Sequence, residues 1–296
     1  MSDSLMLRRQ LRDTIAADIA ARTQAHQAKM ARLRTSTARP LAAAAAPLVM
    51  MAHGDSWFDY PLDGNGPTFG TTDIIAQLGS MGSANPVILN LSHHGDATTD
   101  EMSLPKQQRM IQALQDPSNW GPAGKPDAIL FSGGGNDMAG DQFCIFLDDA
   151  GAGGSGLDGA RFNGVLGMVK AGFLDLFAFR DRHAPGVPIF AHGYDFPIPN
   201  GVHPVCAGPW LQPSLAFAGW TDLAKGTAIA KAALQAFQQM LNDLAADPAN
   251  NFLLVPTQGT LIAADWANEL HPFPGGFKKI AGRFVQSLQG RFPGRI

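Results

Sequence analysis

The chain has 296 residues, 45% of them hydrophobic, a net charge of −3 and an isoelectric point near 6.2. That length and apolar content suffice for a full-sized core, as one large α/β domain or two small ones. The mild acidity argues against nucleic acid as a partner.

Charge is unevenly spread. Residues 1–40 carry eight Arg or Lys against three Asp, a balance of +5, and the remainder sums to −8. Within them, residues 4–35 hold neither Pro nor Gly and read as one long helix, with Leu7, Leu11, Ile15 and Ile19 recurring every four residues. The stripe lapses at Arg22, Thr23 and His26, resumes at Met30 and Leu33, and Pro40 closes the segment. Residues 1–40 are therefore set apart as an N-terminal helical arm, packed on its own domain or joining a second copy of the chain as a homo-oligomer. A basic helix also suits an anionic membrane surface, but the stripe has no aromatics, which counts against membrane contact. No signal peptide is visible. Arg8-Arg9 precede no apolar run, and the Ala-rich stretch 42–52 lies too far in and is too short to span a bilayer. Cytoplasmic is the default expectation. Cys144 and Cys206 form no C-x-x-C pair and no metal spacing, and are read as free thiols in a reducing compartment.

From residue 47 the pattern becomes strand, glycine or polar tip, then helix, repeated. The strand candidates are PLVMMAH (47–53), PVILNLS (86–92), DAILFS (127–132), VPIFAH (187–192) and NFLLV (251–255). Such short, nearly continuous apolar runs suit strands covered on both faces. Helical patterns lie at 72–79, 100–115, 161–182, 221–246 and about 275–289. This alternation predicts an α/β fold, a parallel sheet wrapped on both faces, with residues 41–296 as a single domain. Three long non-helical stretches, 148–159, 195–220 and 256–276, should all emerge at the carboxyl ends of the strands, where ligands bind in such sheets. The first has five glycines in twelve residues and is expected to be mobile.

The strand tips hold the chemistry. After the first strand comes Gly54-Asp55-Ser56, after the second His93-His94-Gly95-Asp96, and after the third Gly133-Gly134-Gly135-Asn136-Asp137. The loop after the fifth carries Asp265-Trp266-Ala267-Asn268-Glu269-Leu270-His271-Pro272. A hydroxyl, a glycine amide, a carboxamide and an imidazole at one sheet edge are the parts needed for acyl transfer. Ser56 alone would read as a helix cap; its company at the other strand ends changes that.

These residues resemble the SGNH (GDSL) hydrolases. GDSWFDYP (54–61) resembles their first block, Gly95 the second-block glycine, Gly134-Gly135-Asn136-Asp137 the third-block G-x-N-D, and Asn268-Glu269-Leu270-His271-Pro272 the closing D-x-x-H-P. The blocks occur in family order over residues 54–272. The resemblance implies a flavodoxin-like three-layer α/β/α sandwich on a five-stranded parallel sheet. It also implies Ser56 as nucleophile, His271 as base, and an oxyanion hole from the Ser56 and Gly95 amides and the Asn136 side chain. There is no G-x-S-x-G at Ser56, so the α/β-hydrolase nucleophile elbow is excluded. Asp55, adjacent to Ser56, is read as bracing the turn.

The chain departs from the family where Asn268 stands three residues before the histidine in place of Asp. Three readings of the imidazole's partner stand: Asn268 as a neutral orienter, Asp265 as the acid, or a backbone carbonyl. A base paired with Asn is expected to titrate in the ordinary histidine range. No metal is expected, since His93 and His94 should diverge at a strand end and no carboxylate pattern completes a site. No cofactor is expected either: the glycine runs lack the Lys-Ser/Thr of a P-loop and the dinucleotide spacing. His192, His203 and Asp195 stand as possible substrate contacts. The aromatic residues Trp57, Phe58, Phe196, Trp210, Phe217 and Trp220 are expected to line the cleft, with Trp57, Phe196 and Trp210 foremost in binding substrate. The expected function is a serine esterase acting on a small-molecule or lipid-like carboxylic ester. The alternative is a catalytically weak or inactive binding or assembly protein on the same scaffold.

Overall fold

Five apolar runs pair in parallel as β1 (Val49–Gly54), β2 (Val87–Asn90), β3 (Ala128–Ser132), β4 (Ile189–His192) and β5 (Phe252–Val255), in the order β2-β1-β3-β4-β5. The computed structural model describes residues 3–36, 46–63, 70–82, 84–203, 206 and 208–296. Pro40 and residues 42–45 of the Ala-rich run lie outside them. Each strand falls within or one residue beyond its predicted run. β1 is an interior strand and wholly buried, bonded in register to β2 (Val49 opposite Val87) and to β3 (Met50 opposite Ala128). Residues of β3 and β4 are almost entirely excluded from water, which is why these strands read as unbroken apolar runs.

The described helices are α1 (Asp3–Ser36), α2 (Ile74–Leu78), α3 (Thr98–Glu101), α4 (Leu104–Gln115), α5 (Gly135–Met138), α6 (Gly159–His183), α7 (Gln212–Phe217), α8 (Leu223–Ala246) and α9 (Pro274–Arg291). α2 packs on α9 across one face of the sheet, while α3, α6 and α8 pack together on the other. Right-handed crossovers dictate this division. The chain moves outward from β1 to β2 and then back past β1 to β3, so the connection after β1 lies on the opposite face from those that follow. The predicted helix 100–115 is two helices. Ser103 is extended (ψ 152°) and Pro105 sits in the first turn of α4, where proline favours a helix start over continuation. α5 and α7 are short helices inside stretches read as loops.

α1 is one unbroken helix. Its first turns leave Met6, Leu7 and Leu11 exposed, and packing begins at Ile15, with Ile19 and Met30 buried against the edge strand β2 and its neighbourhood. Burying each of those two contributes roughly 1.5–3 kcal/mol. The lapse in the stripe is where the polar anchoring lies. Arg22 donates to the Ser92 carbonyl and to Asp59, and His26 Nε2 lies 2.8 Å from the Asn119 carbonyl. Arg34 donates to the carbonyls of Pro117, Ser118 and Trp120. The arm is thus fastened to its own domain.

The three long stretches meet at the carboxyl edge of the sheet. Trp220 Nε1 donates to the Asp148 carbonyl, and the Ala150 amide donates to Ala218 O. Residues 148–159 form a closed loop in which Leu147 pairs with Leu157.

Candidate active site

Ser56 stands two residues past β1, at the point where the strand order reverses between β1 and β3. Open α/β sheets form their ligand crevice there. Gly54 makes the approach possible: at φ +152°, a Cβ would lie 2.3 Å from Ser132 O. Asp55 then braces the turn. Its Oδ1 accepts from the Trp57 amide at 3.0 Å and from Ser132 Oγ at 2.7 Å, and its Oδ2 accepts from Tyr194 Oη at 2.5 Å. Burial pushes the Asp55 carboxyl up to about 6, against those three donors.

His271 reaches Ser56 from the loop after β5. Its Nε2 lies 2.7 Å from Ser56 Oγ. Asn268 shapes that loop: its Oδ1 accepts from the amides of Leu270 (3.0 Å) and His271 (2.8 Å) and lies 3.3 Å from His271 Nδ1. Asn268 Nδ2 donates to the Tyr60 hydroxyl. The imidazole lies against Tyr60 (ring centroids 4.5 Å apart) and edge-on to Trp210 (5.4 Å). Burial, with His94 adding to it, pushes His271 down to about 3, so the ring is neutral and able to accept a proton. The ordinary histidine range expected of it is corrected accordingly: the ring is buried with an amide, not a carboxylate, beside it.

Asp265 is engaged elsewhere. Both of its oxygens take Lys279 Nζ at 2.7 Å, and Oδ2 accepts from the Ile262 amide. Asp265→Asn is therefore expected to leave kcat/KM for ester substrates within about threefold of the parent. A loss of several hundredfold in the same assay would make Asp265 the partner of His271.

Asn136 opens α5, after β3. One amide hydrogen is fixed by the Asp96 carbonyl at 2.8 Å, and an NH₂ group has a second to offer to the pocket that Asn136 lines with Ser56 and His271. Gly95 holds φ +81° with nothing within 4 Å of a built Cβ, so the left-handed backbone, rather than crowding, calls for glycine there.

Two residues that sequence reasoning passed over organise the site. Tyr194 Oη accepts from the Gly135 amide at 2.9 Å while donating to Asp55, tying the Ser56 turn to the Asn136 loop. Its φ of +57°, unusual for an aromatic residue, carries no signal in the sequence. Glu269 is fully buried and accepts from four backbone amides, Gly201 (3.0 Å), Trp210 (2.6 Å), Leu211 (2.8 Å) and Gln212 (3.0 Å). It clamps the 195–220 stretch, Trp210 included, to the loop of His271. Glu269→Ala leaves those donors unsatisfied and is expected to cost about 3–5 kcal/mol of stability by urea unfolding. An unchanged midpoint would show that the clamp is dispensable.

Several expected contacts fall elsewhere. Trp57 lines the pocket; Phe196 and Trp210 do not, and Phe196 lies under Lys231 Nζ, 4.7 Å from its ring centroid. Phe58 is in the core, stacked on His192, and Phe217 is 84% exposed. His192 is buried beneath the site, 2.9 Å from Ser132 Oγ, and burial pushes it down to about 3. His203 is exposed, and Asp195 is occupied by the amides of Phe196, Gly259 and Leu261. His93 and His94 do not diverge. They stack 4.4 Å apart, because β2 ends at Asn90 and strand alternation no longer applies to them. Among the described residues no cluster of three His, Cys, Asp or Glu is arranged to hold a metal, and Cys144 and Cys206 are free.

The five-stranded parallel sheet with helices on its two faces is an α/β fold shared with solved lipases. The lipase Lip_vut3 from a goat rumen metagenome superposes with a TM-score of 0.55 at 13% identity, covering 83% of this chain and 99% of that one. An extracellular lipase from Streptomyces rimosus gives 0.49 at 16% identity over 80% of this chain and 98% of its own. A member of the lipolytic G-D-S-L family from Veillonella parvula gives 0.44 at 14% identity over 80% and 96%. No family profile matches the sequence, and no curated protein does.

Proposed function

We propose that the protein is a serine esterase that cleaves carboxylic esters through an acyl-enzyme intermediate. One observation carries this reading: Ser56 Oγ lies 2.7 Å from Nε2 of a neutral, buried His271, and both line one pocket with Asn136. Ser56 Oγ attacks the ester carbonyl carbon as His271 Nε2 takes its proton. The carbonyl oxygen becomes an oxyanion, received by the amides of Ser56 and Gly95 and the free N–H of Asn136. His271 returns the proton to the leaving alkoxide as the carbon–oxygen bond breaks, and acyl-Ser56 remains. His271 then deprotonates water, which attacks the acyl carbon and releases the acid and free Ser56. Asn268 holds the tautomer in which Nδ1 carries hydrogen and Nε2 is the base. The substrate is a small-molecule or lipid-like ester, in keeping with the apolar pocket described below.

Asn268 in place of a carboxylate also favours the reading of a weak or inactive binding protein on this scaffold. The two are separated by incubating the protein with a fluorophosphonate probe and assaying p-nitrophenyl acetate. Covalent labelling at Ser56 with turnover is the expected result. Folded protein that neither labels nor turns over would decide for binding.

A further inference from the structure

Beside Ser56 lies a partly open pocket with a cavity volume of about 60 Å³. Its walls are Met138 of α5, Phe143, Leu211, and Ala230, Ala233 and Leu234 of α8. The last three recur at i, i+3 and i+4, so they form one face of that helix turned to the site. Among the described residues, this lining holds no Lys or Arg. Its two carboxylates are already occupied: Asp55 by Trp57, Ser132 and Tyr194, and Asp195 by three backbone amides at 2.6–2.7 Å. A charged group entering here would find no partner, and an anion would meet two acids. An alkyl chain would meet methyl, thioether and phenyl surface.

The reacting carbon must lie between Ser56 Oγ and Asn136, and the wall residues Met138 and Ala139 continue directly from the helix that carries Asn136. His271, which must reach the leaving oxygen, is flanked by Tyr60 and Trp210, neither of which lines the pocket.

We propose that this pocket is the acyl-chain site, that it takes an uncharged, straight aliphatic acyl group of short to medium length, and that Ala233 sets its depth. The proposal rests on the esterase reading and names its substrate class. Ala233 is buried, and with Ala230 it leaves room that any larger side chain on that face of α8 would fill.

The test is kcat/KM across p-nitrophenyl esters from acetate to dodecanoate for the parent, Ala233→Leu and Leu234→Ala, with fluorophosphonate labelling of Ser56 as control. In the parent, kcat/KM is expected to rise roughly fourfold per buried methylene to an optimum between butanoate and octanoate, and to fall for longer chains and for succinyl esters. Ala233→Leu should move the optimum to shorter chains and Leu234→Ala to longer ones, with relative rates across an alcohol series of acetates unchanged. Labelled, active variants whose acyl-length profile matches the parent would overturn the pocket assignment alone, as would a shift confined to the alcohol series. If Ala233→Leu does not fold, Leu234→Ala decides by itself. Failure of Ser56 to label in the parent would take down the esterase reading, and this proposal with it.

Discussion

Ser56→Ala is expected to lower kcat/KM for p-nitrophenyl esters by at least about 10³-fold and to abolish fluorophosphonate labelling, with the thermal midpoint essentially unchanged. The geometry sets the size of the loss. Ser56 Oγ is the atom to which His271 Nε2 is hydrogen-bonded, and no other hydroxyl is recorded on that nitrogen among the described residues. Without it His271 has nothing to deprotonate but water, and only the oxyanion donors and substrate binding remain. Those groups sustain a residual rate on their own, which is why the variant should be slow but measurable. The fold should be unaffected because the bracing at this turn runs through Asp55, whose partners are the Trp57 amide, Ser132 and Tyr194. A variant that kept most of its activity would remove Ser56 from the reaction, whatever the fold.

The second large effect concerns the imidazole. Burial, with His94 adding to it, pushes His271 down to about 3, and the neutral form is the active base. Activity therefore rises with pH through that low value, so His271 sets no limb between about pH 5 and 8, and a step near pH 6 would belong to Asp55, whose carboxyl is pushed up to about 6. Asn268→Asp changes the sign of the local field. A carboxylate beside the ring favours its charged form, raises its pKa and moves the acid limb upward toward the ordinary histidine range. It also stabilises the imidazolium formed in the transition state. A charge-assisted hydrogen bond is about twice as strong as a neutral one, so a rate gain on the order of tenfold is expected. The site is ready for the charge: the amides of Leu270 and His271 already donate to Oδ1, and the Tyr60 hydroxyl, which now accepts from Nδ2, can donate instead. The pH profiles of kcat/KM for parent and variant are the measurement. An acid limb that stays put in the variant would remove Asn268 as the partner of Nδ1.

How much of this was legible beforehand differs by element. The strands were readable because both faces of each are covered, so burial leaves a run of apolar residues with little interruption. That Ser56 and His271 meet beside a pocket lined by Asn136 could be expected because each follows a strand's carboxyl end. The division of 100–115 into two helices had a local signal in Pro105, which was passed over. Phe196 and Phe217 were assigned to the cleft on residue type alone, and residue type does not say which way a loop side chain points.

The sequence by itself determined the α/β class, the parallel sheet, the long N-terminal helix and which strand tips carry reactive groups. Periodicity and strand-end position are local properties, and each can be read within one segment. Only the tertiary structure decided that Asp265 turns to Lys279, that Glu269 gathers four amides from a loop some sixty residues away, and that Tyr194 joins two strand ends. The same holds for the lowered pKa of His271 and the apolar walls beside Ser56. Each depends on chain segments far apart in sequence arriving in one water-excluded place, and burial and partnership exist only once they have.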